Sequence, residues 1–159
     1  MKKTYIAPLA LAFAVAGLSA CKQESAPAEA APEGIAGVEI SNARLVLPAV
    51  KGNPGALYFD IVNAGDEFVA MRAVAVTGAK EAMMHETIDE GGTTRMAAMA
   101  PLSLDKGVPV SFAPGGKHVM VMDLDENLAA GDTTEATITF AGGDKQSFPV
   151  KVEAPGGSD

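Results

Sequence analysis

A chain of 159 residues is long enough for one modest domain with a core of its own. Its formal charge of −8 argues against the basic surface that nucleic-acid binding needs to displace counterions. The 17 Gly and 10 Pro, against 5% aromatics and no Trp, suit a turn-rich β protein, and eight Met exceed what gap filling in a core demands.

The N-terminal stretch is a charged head and a short apolar body: Lys2 and Lys3, then an apolar run from Ile6 to Leu18. That run is too short to cross a bilayer, so residues 1–20 read as a secretory signal rather than a span. It closes on Leu18-Ser19-Ala20-Cys21, which resembles the bacterial lipobox, in which the Cys is lipidated and becomes the first mature residue. Cys21 is the only cysteine, so it is the expected lipid anchor and the expected location is the periplasm or cell envelope, tethered to a membrane. Residues 21–36 are rich in Ala, Pro and Glu, with almost nothing to bury, and predict a flexible tether.

The folded domain is expected over 37–153, with 154–159 as a tail. Val38 to Leu47 reads as a strand closed by Pro48, and Gly52-Asn53-Pro54-Gly55 as a turn. Strands follow at Ala56 to Asn63, Phe68 to Val76 and Glu81 to Ile88. Asp89-Glu90-Gly91-Gly92 predicts a hairpin loop returning through Thr93 to Ala98. Short segments at Pro101 to Leu104 and Val108 to Phe112 precede Ala113-Pro114-Gly115-Gly116, which turns the chain into a strand over 117–123. Thr134 to Phe140 and Gln146 to Val152 form a last hairpin around Gly142-Gly143-Asp144. About eight or nine short strands with no amphipathic helix predict an antiparallel β-sandwich or barrel.

The chemistry-bearing stretch is Lys117-His118-Val119-Met120-Val121-Met122. Alternation puts Val119 and Val121 on one face, toward the core, and His118, Met120 and Met122 on the other. Residues two apart on a strand lie about 6.5–7 Å from one another on one face, so His118 and Met120 can address one ion. The only other histidine, His85, shares its face with Met83 and Thr87, while Met84 faces the core with Ile88. If His85 and Met96 are opposed across the 89–92 hairpin, the donor set is His85, Met96, His118 and Met120. Met122 is expected at the rim of that set, Met83 at its rim or in packing with Met71 and Met84, and Met99 on the opposite face of its strand. Asp89, Glu90, Asp123, Asp125 and Glu126 read as solvated turn residues.

Soft, uncharged thioethers favour Cu(I) over Mg, Ca or Mn, and Met is a poor zinc ligand. Blue-copper chemistry needs a thiolate, and the folded domain has no Cys; haem c needs a Cys-x-x-Cys-His that is absent. No histidine is left over to serve as a base and there is no mature Cys nucleophile, so no catalytic triad is legible and the protein does not read as an enzyme.

His85, ten intervening residues, Met96, twenty-one intervening residues and then His118-x-Met120 resembles the spacing signature of the PCuAC (DUF461) family of periplasmic copper chaperones. The Gly91-Gly92 turn before Met96 and the Pro114-Gly115-Gly116 turn before His118 agree with it, and the resemblance spans about residues 38–152. One departure is His85-Glu86-Thr87, where many members read His-Glu-Met. The resemblance implies a cupredoxin-like, Greek-key β-sandwich, an exposed Cu(I) site and delivery of copper to the binuclear copper centre of cytochrome c oxidase. The implied partners are that oxidase subunit or another periplasmic copper chaperone, for a monomeric protein; a copper storage or resistance module without a dedicated recipient is the alternative.

The lipobox reading has a direct consequence. Wild-type protein should take up a palmitate analogue in growing bacteria and partition with membranes, whereas Cys21→Ser should do neither; an unlabelled wild type would refute the anchor.

Overall fold

The computed structural model describes residues 34–156. Cys21, the signal and most of the tether lie outside the described residues. Ten strands follow in chain order: β1 (Val38–Val46), β2 (Gly55–Asn63), β3 (Val69–Val76), β4 (Glu81–Glu90), β5 (Thr93–Ala98), β6 (Leu102–Leu104), β7 (Val110–Phe112), β8 (Lys117–Met122), β9 (Thr133–Phe140) and β10 (Lys145–Glu153). No helix occurs among the described residues. The ladder order is β5-β4-β8-β7-β2-β1-β10-β9-β3-β6, with a further β8–β2 pairing. β3 and β4 are distant in this ladder yet contact one another, as expected when the two wings pack face to face.

Alternation builds the core. On β2, Leu57, Phe59 and Ile61 are buried and the residues between them are half-exposed. Phe59 stacks on Phe112 with ring centroids 4.5 Å apart and meets Phe148 at 5.5 Å. Val119 and Val121 are fully buried, as the β8 pattern predicts, and β8 is flanked by β4 on one side and by β2 and β7 on the other.

Several expectations are refined. Not every pairing is antiparallel: β1 runs parallel to β10 (Arg44↔Lys151 to Val46↔Glu153), because the first and last strands each turn antiparallel to their own hairpin partner and meet at the remaining edges. A second, one-rung parallel contact joins Phe112 and Lys117. β3 starts at Val69, leaving Phe68 79% exposed, and β7 is only Val110–Phe112. β8 stops at Met122 because Asp123 takes φ 50° and leaves the extended region.

The 89–92 loop is tighter than expected. Glu90 pairs Thr93, so only Gly91 and Gly92 form the turn, with φ 64° and 87°. Two successive positive φ values are the signature of a type I′ hairpin turn, which two glycines adopt without strain. This turn sets the β4–β5 register and thereby the position of Met96.

Asn63 is the one buried polar residue among those described. Its Nδ2 donates to the carbonyls of Glu67 (2.9 Å) and Leu104 (3.3 Å), and its Oδ1 accepts from the Gly65 N–H (3.0 Å). Removing the amide leaves these groups without partners, so Asn63→Ala should lower the unfolding free energy by about 2 kcal/mol, read by urea denaturation. Unchanged stability would show that water replaces the amide at no cost.

Candidate metal centre

The β4–β8 register assembles the centre. The strands run antiparallel with Glu81↔Met122, Met83↔Met120 and His85↔His118 as directly opposed pairs. All six residues fall on the face away from Met84, Val119 and Val121, which belong to the core. The two imidazole ring centroids are 6.0 Å apart, with the ring planes at 56°.

Met96 arrives differently from the expected geometry. His85 is opposed by Ala98, and Met96 by Thr87, so His85 and Met96 are diagonal neighbours rather than a direct pair. The I′ turn displaces the pairing by two residues, and a shift of two preserves the face. Met96 therefore stays on the side of His85, within the diagonal reach of a long side chain. It lies on β5, the edge strand, and is 58% exposed.

The two histidines are held unequally. His118 Nδ1 lies 3.1 Å from the Gly116 carbonyl. A carbonyl only accepts, so Nδ1 carries a hydrogen, and in the neutral ring Nε2 is then the nitrogen with the lone pair. The same carbonyl accepts the Thr87 N–H at 3.1 Å, so one oxygen both orients the ring and ties β4 to the start of β8. His85 Nδ1 is buried and has no hydrogen-bond partner. An orphaned buried nitrogen costs about 1–3 kcal/mol, and a cation coordinated there would remove that cost.

The donor chemistry is neutral. No cluster of three or more His, Cys, Asp or Glu capable of holding a metal exists among the described residues, and the side-chain donors that accompany the two imidazoles on this face are chiefly thioethers. A two-imidazole, thioether-rich set fits Cu(I) and not a hard, oxygen-seeking ion. The nearest opposed charges, Lys117 and Glu86, pair with each other at 2.7 Å on the adjoining rung.

Of the remaining methionines, Met71 and Met84 are buried and Met99 packs against the core, with its N–H donating to the Met84 carbonyl. Met83 is half-buried and belongs neither to the core cluster nor to the residues packed on it. Met122 sits two rungs beyond Met120, opposite Glu81, on the same face. Sequence reasoning missed the direct His85–His118 rung. Its signal was the inverted repeat Met83-x-His85 and His118-x-Met120, which antiparallel pairing aligns like with like. A cleft of about 690 Å³, lined in part by Leu47, Lys51, Lys80, Asp123 and Leu128, has no histidine or methionine in its lining.

The LpqE-like family, described as "Putative lipoprotein LpqE-like", matches residues 38–152. The chain is 28% identical over 118 residues to "Putative lipoprotein Lxx21020" of Leifsonia xyli subsp. xyli, covering 74% of this chain and 70% of that protein. It is 26% identical over 103 residues to protein RP573 of Rickettsia prowazekii, covering 64% of this chain and 57% of that protein. Among solved structures, the copper-bound PCuAC domain from PmoF2 superposes with a TM-score of 0.63 at 22% identity, over 79% of this chain and 99% of that domain. The solution structure of CuI-DR1885 from Deinococcus radiodurans does so with a TM-score of 0.57 at 22% identity, over 79% and 83% of the two chains. At such identities the likeness is one of fold, and the fold is the cupredoxin-like β fold that the family resemblance implied. The chain belongs to the LpqE-like family and is built as a PCuAC-type domain.

Proposed function

We propose that this protein is a copper chaperone of the periplasm, anchored through Cys21, that carries one Cu(I) on His85, Met96, His118 and Met120 and delivers it to the copper centre of cytochrome c oxidase. The observation that carries the reading is the rung His85↔His118, flanked on the same face by Met120 and Met96 and containing an orphaned imidazole nitrogen. Support comes from the copper-bound PmoF2 domain and from CuI-DR1885, which share the fold, and from the lipoprotein description of the family.

The geometry suits transfer. The donors lie on the outer face of a sheet rather than in an enclosed cavity, and one of them is on an exposed edge strand. Neutral ligands exchange without proton movement at the thioethers, so a partner can replace them one at a time. Val119 and Val121, buried beneath His118 and Met120, keep the remaining donors in place while this happens.

Anaerobic titration against a chromophoric Cu(I) chelator should show one Cu(I) per chain, and His118→Ala and Met120→Leu should each weaken binding by about 10–100-fold. Binding unchanged in both variants would refute the site. Copper-loaded protein mixed with the apo copper-binding domain of the oxidase subunit should lose its metal to that domain; retention would favour storage over delivery.

A further inference from the structure

The outer face carries more thioethers than four-coordination uses. Met83, Met96, Met120 and Met122 all lie there, and none of them belongs to the hydrophobic core or packs against it. Met83 is the one whose position has no other explanation. It stands directly opposite Met120 and two residues from His85 on β4. Met96 stands opposite Thr87, which is two residues from His85 in the other direction. The two residues therefore lie on either side of the His85–His118 rung, each about 6.5–7 Å from it along the strand direction, with Met96 displaced by one further strand on the side of β4 away from His118. Each has three rotatable side-chain bonds with which to reach inward.

Their supports differ. Met83 is on β4, which is paired on both sides, and is half-buried. Met96 is on the edge strand β5 and is 58% exposed. Met122 is two rungs farther out, opposite Glu81.

We propose that Met83 is a further copper ligand that exchanges with Met96 for the fourth position beside His85, His118 and Met120. The proposal rests on the Cu(I) reading above and deepens it. In the exchange one Cu–S bond forms to Met83 as one breaks to Met96. Both donors are neutral thioethers, so no proton or electron moves and the ion stays Cu(I). The ion remains four-coordinate while the edge strand is freed, and the side of the site covered by Met96 opens to an incoming ligand from a partner.

The test is a double-mutant cycle in Cu(I) affinity, measured by competition with a chromophoric chelator on wild type, Met83→Leu, Met96→Leu and the double variant, with Met122→Leu as a control. Leu conserves volume, and thermal unfolding of the apo forms checks the fold. Each single variant should weaken binding by less than about tenfold and the double by more than about 100-fold, beyond the product of the singles. X-ray absorption at the copper edge should count two sulfur donors in either single variant and one in the double. In Met96→Leu, the Met83 methyl resonance should shift on Cu(I) loading. A double variant that binds as tightly as Met96→Leu, or an unmoved Met83 methyl, would overturn the exchange. Equal binding by wild type and His118→Ala would instead remove the parent site, and the exchange with it.

Discussion

The candidate site depends on the register between β4 and β8. A slip of one residue would turn His118, Met120 and Met122 into the core and bring Val119 and Val121 to the surface. Burial of a valine is worth about 1.5–3 kcal/mol, so that slip would forfeit several kcal/mol from the two valines alone, before the cost of burying an imidazole. A slip of two would keep the faces but place His85 against Met120. It is opposed by the backbone: Leu57↔Val119 and Gly55↔Val121 hold β8 to β2, and the Gly116 carbonyl receives both the Thr87 N–H and the His118 ring. The Lys117–Glu86 ion pair also fits only this register, but it is about a third exposed, where such pairs contribute at most about 1 kcal/mol. Core burial and backbone pairing decide the arrangement, and the charges follow.

That hierarchy explains which parts were legible. Strand alternation in Lys117-His118-Val119-Met120-Val121-Met122 needs only a period of two, and it correctly separates buried valines from outward donors. Glycine and proline punctuation located most of the turns. Register is a relation between distant segments, and composition does not carry it. The opposition of residues 85 and 96 therefore failed by two positions, because the 89–92 stretch folds as a two-glycine I′ turn rather than a four-residue loop. The difference is harmless to the face and consequential for the candidate set, because Met96 becomes a diagonal neighbour of His85. The β4–β8 register, which the sequence does not carry, separately makes Met83 a direct partner of Met120. The mirror symmetry of Met83-x-His85 and His118-x-Met120 was visible in the sequence, but it becomes informative only once the two strands are known to pair antiparallel.

Electrostatics on this face are arranged by omission. The chain is acidic, with a formal charge of −8, yet no carboxylate joins the two imidazoles in a cluster that could take a hard cation. Glu81 is a carboxylate on this face, opposite Met122 at its far end, four residues from His85; other nearby charges are paired, Glu86 with Lys117, Glu90 with Arg95, and Asp123 with Lys80. A hard divalent ion would have to give up oxygen ligands or water for thioethers, whereas Cu(I) gives up little. In the proposed site, metal choice would rest on the sulfurs brought near and on the absence of a carboxylate cluster around the imidazoles, while net negative charge favours the approach of any cation.

A carrier must reconcile retention with release, and the sheet separates the two by position. His118 and Met120 are on a strand paired on both sides and floored by fully buried valines, so moving them would disrupt the core. Met96 is on an edge strand whose residues are almost all exposed, joined to the rest through a turn of two glycines. Strand edges are the least stable parts of a sheet, where local opening costs least. In the proposed carrier, the donors that would anchor an ion and the donor that would yield it are therefore distinguished not by chemistry, since Met120 and Met96 present the same thioether, but by how much of the fold must move to displace each one.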